Sequence, residues 1–150
     1  MAQSREFPVP VENAFDRVLP MPLNQIFAGW YGPFPPIRRT EQVDPWGTVG
    51  QQRRIVFVGP GDVRETLVAV TRPHSFGYEL TDPSGPLALL IATVNGRWDF
   101  DPAPLGVRVT WSWQVHARNR AARAFLPLVA FFWRGYARAG LARLELLLRP

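Results

Sequence analysis

The chain has 150 residues and a mass of 17.0 kDa, which is the size of one domain. Apolar residues make up 47% and charged residues 19%, a balance that is ordinary for a globular protein and excludes a disordered tail. There is no cysteine and there are only two histidines. This excludes a disulfide scaffold, a thiolate zinc site and a cysteine nucleophile, and it argues against a multi-histidine metal centre. We therefore expect a single domain over residues 1–150, with no metal and no cofactor.

The positive charge is concentrated at the end of the chain. The net charge is +5, and all 17 basic residues are arginines. Residues 117–150 hold seven arginines and one acid, Glu145, whereas residues 1–116 hold ten arginines and eleven acids. A basic segment of this kind suits nucleic acid or an anionic membrane surface, or is only a solvated helix face. We expect the solvated face and no nucleic-acid partner, and we keep an anionic membrane or RNA surface as a third hypothesis for function.

The first ten residues are polar and contain proline, unlike the apolar core of a signal peptide. The longest apolar runs, residues 87–92 and 124–133, are shorter than the roughly 20 residues of a membrane span. We expect a soluble, cytoplasmic protein without a membrane span, although the absence of cysteine fits an exported protein equally well.

Prolines and glycines divide the chain into short elements. In chain order, the patterns predict a strand over residues 4–9, a helix over 10–19, a short helix over 22–30 and a loop over 31–36. Six strands are then predicted, over 37–43, 48–58, 63–70, 75–80, 92–100 and 107–116, with hairpin turns at 59–62 and 101–106. The change of period after Asn119 predicts one long helix over 121–148, kinked at Pro127. The segment 87–92 fits either an extension of a strand or a lid at the mouth of a pocket.

Strict alternation marks the last two strands as half-buried and antiparallel. One face of the final strand carries Val107, Val109, Trp111, Trp113 and Val115, and one face of the preceding strand carries Ala92, Val94, Gly96, Trp98 and Phe100. Arg97 and His116 are out of phase with these tryptophans, so we expect both to face outward. On the final helix, Phe125, Val129, Phe132, Tyr136 and Leu147 lie opposite a stripe of arginines, and this apolar face must cover something.

A strand, two short helices, about six further antiparallel strands and a long helix define an α+β domain. In this order of elements, the sheet curls and the C-terminal helix lies across its concave face. Three segments, VPVENAFDRV (9–18), GRWDF (96–100) and VTWSW (109–113), together with the arginine- and alanine-rich final helix, resemble the helix-grip fold of the START-like superfamily. Within it, the chain is most similar to the polyketide cyclase/dehydrase and lipid-transport group. The resemblance covers nearly the whole chain and rests on layout rather than on an invariant catalytic string.

The resemblance implies a cavity between the sheet and the C-terminal helix. Members of the superfamily hold lipids, sterols, plant hormones and aromatic polyketides there, and some catalyse cyclisation or dehydration. It therefore implies a protein that binds a hydrophobic or aromatic small molecule. The alternative is a cofactor-independent polyketide cyclase or dehydratase that uses the same cavity. The ligand stays open, as does the choice between monomer and homodimer.

The predicted ligand-binding residues are apolar side chains on the inner faces of the sheet and helix, and one arginine on the apolar side of the helix. They are Trp98, Trp111, Trp113, Phe125, Val129, Phe132, Tyr136, Ala139 and Arg143. An aromatic wall with few polar groups is typical of an apolar ligand site, but aromatic side chains also dominate ordinary cores. A buried Arg143 holds an anionic ligand group or a carboxylate, and otherwise its head reaches solvent near the helix end.

If the protein is an enzyme, the candidate catalytic residues are Glu65, Tyr78, Tyr136 and Arg143. Alternation places either Arg64 or Glu65 inside the sheet, and either Tyr78 or Glu79. An inward Glu65 has a raised pKa and can act as a general acid or base, for example opposite Arg143. An outward Glu65 pairs across strands with Arg53 or Arg54 instead.

Overall fold

The structure is a computed structural model that describes residues 1–42 and 45–149. The seven strands are β1 (Ala2–Phe7), β2 (Ile37–Glu41), β3 (Gln52–Phe57), β4 (Asp62–Thr71), β5 (Ser75–Thr81), β6 (Ile91–Ala103) and β7 (Gly106–Ala117). The α-helices are α1 (Val11–Val18), α2 (Leu23–Ile26), α3 (Arg120–Arg123) and α4 (Leu126–Leu147), and a 3-10 helix spans Pro86–Leu89. No helix in the described part of the chain is long and apolar enough to cross a membrane.

The strands form one antiparallel sheet in the order β1-β7-β6-β5-β4-β3-β2. Strands β2 to β7 therefore follow one another as a meander, and β1 pairs with the last of them. The register shifts between Leu67 and Ala69 in β4 and between Ile91 and Thr93 in β6. Such irregularities increase the local twist of a sheet, which helps it to curve around a helix. The predicted α+β architecture, with two short helices after the first strand, is confirmed.

Helix α4 covers the inner face of this curved sheet. Its buried side consists of Val129, Trp133, Gly135, Tyr136, Ala137, Gly140, Leu141 and Leu144. The indole of Trp133 is fully buried, 4.9 Å from the ring of Trp111 in β7. At the far end of the helix, Arg17 of α1 donates hydrogen bonds to the carbonyl oxygens of Leu147 and Leu148, two of the carbonyls that a helix leaves unpaired.

The prediction of one long, kinked helix over 121–148 is wrong. The chain forms two helices instead, and Phe125 is the N-cap of the second. Pro127 lies in the first turn of α4, where its missing N–H removes no helical hydrogen bond. The break turns Phe125 to solvent, with 53% of its surface exposed, so its predicted inward position is also wrong.

Several predicted boundaries were too generous. The second helix ends at Ile26, because the chain turns toward β2 and Ile37 donates its N–H to the carbonyl of Phe27. The strand predicted over 48–58 starts at Gln52, because the side chain of Gln51 accepts the N–H groups of Gly47 and Thr48 and holds a turn there. The strand predicted over 37–43 ends at Glu41. The last residue of the predicted range, Val43, lies outside the described residues.

Candidate functional site

An apolar cavity of about 60 Å³ lies between the curved sheet, the helices α1 and α2, and α4. Its walls are mainly aromatic and aliphatic, with Phe27 directly after α2, Ile55 from β3, Phe76 from β5, Trp98 from β6 and Tyr136 from α4. The alternation of these strands delivers one side chain in two to the cavity, because successive residues point to opposite faces of a sheet. The charged groups of its wall come from β3 and β4, and the two phenol hydroxyls come from Tyr78 in β5 and Tyr136 in α4.

The first polar group is the hydroxyl of Tyr78. Its oxygen accepts the indole N–H of Trp111 at 2.7 Å and that of Trp113 at 2.9 Å. Its own O–H remains available to donate, and it has no acceptor among the described residues. Burial, and then the negative charge of Glu65, raises the pKa of this phenol well above its usual range. Tyr78 is therefore a neutral hydrogen-bond donor in the cavity wall.

The second polar feature is a buried ion pair between Arg53 and Glu65. Nε of Arg53 lies 2.9 Å from Oε1 of Glu65, Nη2 lies 3.4 Å from Oε2, and both side chains are 4% exposed. The guanidinium also stacks 4.0 Å above the ring of Trp46 and donates to the side-chain oxygen of Gln42. Burial raises the pKa of the Glu65 carboxyl, although the charge and hydrogen bonds of Arg53 oppose that shift. Glu65 thus faces inward and also pairs with Arg53. The sequence analysis had treated an inward Glu65 and a cross-strand pair with Arg53 or Arg54 as alternatives, and the structure combines them.

Tyr136 contributes its ring rather than its hydroxyl. The O–H donates to the buried carbonyl of Pro35 at 3.0 Å, and the ring stacks on Phe27 with centroids 5.1 Å apart. Burial raises the pKa of this phenol too. The hydroxyl is already engaged, so we expect Tyr136 to shape the wall and to leave donation to Tyr78.

The predicted ligand-binding residues fall into two groups. Trp98, Trp111, Trp113 and Tyr136 line the cavity, whereas the other five do not. Of those five, Val129 is buried away from the cavity, Phe132 packs on Gly32 and Phe131, and Phe125, Ala139 and Arg143 are exposed.

Arg143 does not point toward Glu65. Its Nε donates to the carbonyl of Gln25 at 3.3 Å on the surface, beside a shallow groove that also includes Ala139 and Trp30. On α4, Ala139 follows the buried Tyr136 by three residues, and Arg143 follows the buried Gly140 by three residues. A step of three residues turns a side chain by about 60° around the helix axis. This rotation carries both residues past the edge of the buried face. Of the two alternatives for Arg143, the structure therefore shows the one in which its head reaches solvent, and it does not line the cavity.

The outward residues of the sheet follow the predicted alternation. Arg97 and His116 are exposed, and they contact Asp99 at 2.8 Å and Asn95 at 3.2 Å respectively. Tyr78 takes the inward position in β5, so Glu79 faces the other side, and Arg64 pairs with Asp82 on the outer surface.

The predicted site did not include two residues of the cavity wall, Arg53 and Leu87, or Trp133, which packs on Trp111 and Trp113. Arg53 shares the inward face of β3 with Ile55, an alternation that was visible in the sequence. Trp133 follows Val129 by one helical turn and precedes Tyr136 by three residues, so helical periodicity also indicated it. Leu87, in the 3-10 helix, lines the cavity as part of the long β5–β6 connection. It belongs to the segment 87–92, which fitted either a strand extension or a lid, and which divides between this 3-10 helix and the start of β6 at Ile91.

Comparison with solved structures supports the fold. A protein from Nitrosospira multiformis has 19% sequence identity and a TM-score of 0.65, with 99% of this chain and 95% of that chain covered. A major latex-like protein from Panax ginseng has 12% identity and a TM-score of 0.72, with coverage of 100% and 97%. A protein from Mycobacterium smegmatis has 18% identity and a TM-score of 0.67, with coverage of 99% and 89%. At these identities, the similarity shows a shared helix-grip fold and nothing about ligands.

The sequence comparison is more specific. No curated protein sequence matches this chain at a significant level. The family described as polyketide cyclase / dehydrase and lipid transport matches residues 1–149. A match over nearly every residue shows that the chain belongs to the polyketide cyclase/dehydrase and lipid-transport family.

Proposed function

We propose that the protein binds a hydrophobic, oxygen-bearing aromatic small molecule in the cavity between the sheet and α4. The observation that carries the proposal is the division of the cavity into apolar walls and one polar region, formed by Tyr78, Arg53 and Glu65. Sites for small molecules combine apolar surface with a few placed polar groups in this way. Membership of a family that includes lipid transport supports the same role.

The aromatic walls favour a planar ligand. Trp98 and Trp111 are stacked with centroids 5.5 Å apart and planes 19° from parallel, and Phe27 lies 4.8 Å from Trp111. Offset stacking on such surfaces stabilises an aromatic ring beyond the effect of burial alone. The free O–H of Tyr78 favours a ligand with an acceptor, such as a keto or phenolic oxygen, because a buried donor without an acceptor is costly.

The cavity must expand to admit such a ligand. Its volume of about 60 Å³ is that of roughly two water molecules, whereas pockets for drug-sized ligands measure about 300 to 1,000 Å³. Leu87 lines this cavity and also two neighbouring depressions, one of which includes Trp30 and Pro60. We propose that Leu87 is the removable part of the wall, because it separates the cavity from both depressions on a short, half-buried 3-10 helix.

A matched pair of substitutions on β4 tests the site. Val63 points into the cavity, whereas Val68 lies on the outer face of the same strand with 48% of its surface exposed. We expect Val63→Phe to fill the cavity and abolish binding of the fluorescent probe 1-anilinonaphthalene-8-sulfonate and of any molecule that native mass spectrometry finds in the purified protein. Val68→Phe should bind as the wild type does. Equal binding by both folded variants would place the ligand elsewhere and overturn the proposal.

Leu87→Ala tests the opening of the wall. Removing this side chain joins the cavity to the neighbouring depressions, so we expect faster association of the same probe and at least equal affinity. Leu89 belongs to the same 3-10 helix but is 73% exposed, so Leu89→Ala is the matched control. Association of the probe with Leu87→Ala that is no faster than with the wild type would show that ligands enter by another route.

A second candidate function is cyclisation or dehydration of the bound molecule. It is favoured by the position of Glu65 and Tyr78 in the wall of one cavity. Glu65 would accept a proton from the carbon next to a ligand carbonyl while Tyr78 donates a hydrogen bond to the developing enolate oxygen. In cyclisation the enolate carbon would attack a second carbonyl of the same molecule, and the protonated Glu65 would return its proton to the new alkoxide. In dehydration the enolate would expel a β-hydroxyl group, which would leave as water with the proton from Glu65. We propose binding as the first function because both oxygens of Glu65 already face Arg53, which leaves the carboxylate less available as a base.

Mass spectrometry separates the two functions. The molecule recovered from the purified protein is incubated with fresh protein, and its mass is followed over time. Dehydration would give a product lighter by one water, and cyclisation alone would give an isomer of the same mass with a different chromatographic retention time. Glu65→Gln would keep the binding and lose either conversion. An unchanged mass together with an unchanged retention time with wild-type protein contradicts the enzymatic hypothesis and leaves the binding function intact.

A further inference from the structure

We propose that the α3–α4 corner docks onto the surface of an anionic lipid bilayer. We call this surface the docking patch, and it consists of three apolar residues around the start of α4 and four arginines in α3 and along α4 as far as Arg138. The apolar residues are Phe125, Leu128 and Phe131, and the arginines are Arg120, Arg123, Arg134 and Arg138. The proposal is independent of the cavity and its ligand.

The apolar part of the patch protrudes into solvent. Phe125, Leu128 and Phe131 are 53%, 54% and 58% exposed, and they recur every three residues. Residues at this spacing are neighbours on one face of a helix. Three adjacent large apolar side chains, each more than half exposed, form a surface of the kind that marks an interaction site.

The helical spacing sets the arginines at a suitable height for lipid headgroups. We place the N-terminal end of α4 toward the bilayer, with its axis near the membrane normal. Arg134 follows Phe131 by three residues, which is about 60° around α4 and a rise of about 4.5 Å along the axis. The polar headgroup layer on each side of a bilayer is about 5 to 7 Å thick. If Leu128 and Phe131 enter the hydrocarbon boundary, Arg134 therefore lies at the level of the phosphates, and Arg138 lies one turn higher.

The charge of the patch is not neutralised by the protein itself. In the described ranges 1–42 and 45–149, no acidic side chain forms a salt bridge with Arg120, Arg123, Arg134 or Arg138. By contrast, the outer surface of the sheet and its turns carries six paired arginines: Arg39, Arg54, Arg64, Arg72, Arg97 and Arg108. Arg38, Arg118, Arg143 and Arg149 likewise form no salt bridge among the described residues. What distinguishes the patch is that four such arginines accompany three exposed apolar side chains, and this combination is typical of binding to anionic membrane surfaces.

Charge complementarity also decides between the occupants of the patch. In a symmetric dimer formed through this face, each subunit would present the same arginines to its copy, and like charges would oppose association. Single-stranded RNA binds through grooves with aromatic platforms, whereas the centre of this patch is the aliphatic Leu128 on a protruding helix. An anionic bilayer offers hydrocarbon to the apolar residues of the patch and phosphate groups to its arginines.

The docking patch is connected to the wall of the cavity. The backbone of Gly135 leaves room for the ring of Tyr31, and Gly32 lies against the ring of Phe132. The connection between α2 and β2 therefore packs on this end of α4, and its Pro35 lines the cavity. Docking would bring that part of the wall close to the lipid.

Vesicle co-sedimentation of the full chain tests the proposal. The vesicles are made of phosphatidylcholine alone or of phosphatidylcholine with phosphatidylserine, at low and at high salt. We expect binding to the anionic vesicles, weakening at high salt. Leu128→Ser and Phe131→Ser should each weaken binding about tenfold, and Arg134→Gln and Arg138→Gln about fivefold each.

Matched controls lie on and just beyond the same helix. Leu146 is 52% exposed near the other end of α4, and Arg149 follows that end, so Leu146→Ser and Arg149→Gln should bind as the wild type does. All these positions are exposed, and circular dichroism with melting curves verifies that each variant is folded. The proposal is overturned if wild-type protein ignores anionic vesicles, or if the controls lose as much affinity as the patch variants. It is also overturned if the wild type is a dimer that Phe131→Ser dissociates, or if a single-stranded RNA binds more tightly than the anionic vesicles.

Discussion

The ring of Tyr78 lies directly on the backbone of Gly96 in the neighbouring strand. A Cβ atom on Gly96 would stand 2.0 Å from Cζ of Tyr78 and 2.4 Å from its hydroxyl oxygen. Because the ring crosses β6 at this glycine, the hydroxyl from β5 reaches the indole N–H groups of Trp111 and Trp113 on β7. The absence of one side chain thus allows a hydrogen-bonded cluster to span three strands.

The substitution Gly96→Ala should displace the ring of Tyr78 and break its bonds to both indoles. We expect the free energy of unfolding to fall by about 2 to 4 kcal/mol, since overpacking adds to the loss of buried hydrogen bonds. Gly77→Ala is the matched control, because a Cβ there meets its nearest atom at an ordinary 3.6 Å. It should change stability by less than about 1 kcal/mol. Urea denaturation measures the free energy of unfolding of both variants. Equal losses would show that Gly96 is not specifically required for the packing of the Tyr78 ring.

Tyr78→Phe removes the shared acceptor but keeps the ring. The indole N–H groups of Trp111 and Trp113 then lose their partner, so we expect a loss of about 1 to 3 kcal/mol. Their indole N–H resonances should shift in the NMR spectrum. Tyr136→Phe removes one hydrogen bond, to the carbonyl of Pro35, and should leave those resonances in place. Unchanged indole resonances in Tyr78→Phe would contradict the shared hydrogen bond.

The sheet side of the site was predictable, because alternation in a strand depends only on the sequence between two turns. Trp98, Trp111 and Trp113 were placed inside on this basis, and they line the cavity. The helix side was less predictable. A helical phase accumulates 100° at each residue, so an undetected break before Pro127 detached Phe125 from the face to which it was assigned.

The pairing of Arg53 with Glu65 shows a second limit of sequence analysis. Register in the sheet places the two residues directly opposite each other on β3 and β4. The sequence showed that Glu65 could pair across strands, but alternation within one strand could not show that the pair faces the interior. Arg143 was proposed as the counter-charge because its place on α4 was taken from the helical angle alone. The closer arginine on the neighbouring strand fulfils that role.

Removing one partner of the Arg53–Glu65 pair should lower the free energy of unfolding more than replacing both partners with apolar side chains. Arg53→Met leaves a buried carboxylate without its counter-ion, and we expect a loss of about 3 to 5 kcal/mol. The double substitution Arg53→Met with Glu65→Met removes both charges and should recover most of that loss. Urea denaturation of the single and double variants gives the coupling energy. Additive losses would mean that the two side chains do not stabilise each other.

The ionisation of Glu65 should make stability depend on pH in a direction opposite to that of the surface carboxylates. Its carboxyl pKa is raised above the ordinary 4.5 by burial. As pH rises from 4.5 through the folded-state pKa, the unfolded chain loses this proton first, so ionising Glu65 lowers the stability of the fold. A hydrogen bond from Arg72 lowers the pKa of Asp16, and hydrogen bonds from Ser84 and Arg54 lower the pKa of Asp62. Ionisation of these two carboxyls therefore stabilises the fold as pH rises.

Comparison with Glu65→Gln isolates the contribution of Glu65, because glutamine cannot ionise and the surface carboxylates are common to both proteins. We expect the free energy of unfolding of the wild type, minus that of Glu65→Gln, to decrease as pH is raised from about 4 to about 8. Urea denaturation at each pH provides the difference, and Glu79→Gln, on the outer face of β5, allows the effect of losing one negative charge to be subtracted. A difference that increases with pH would mean that Arg53 lowers the pKa of Glu65 by more than burial raises it, and the carboxylate would then be a fixed partner of Arg53 rather than an acid or base available to a ligand.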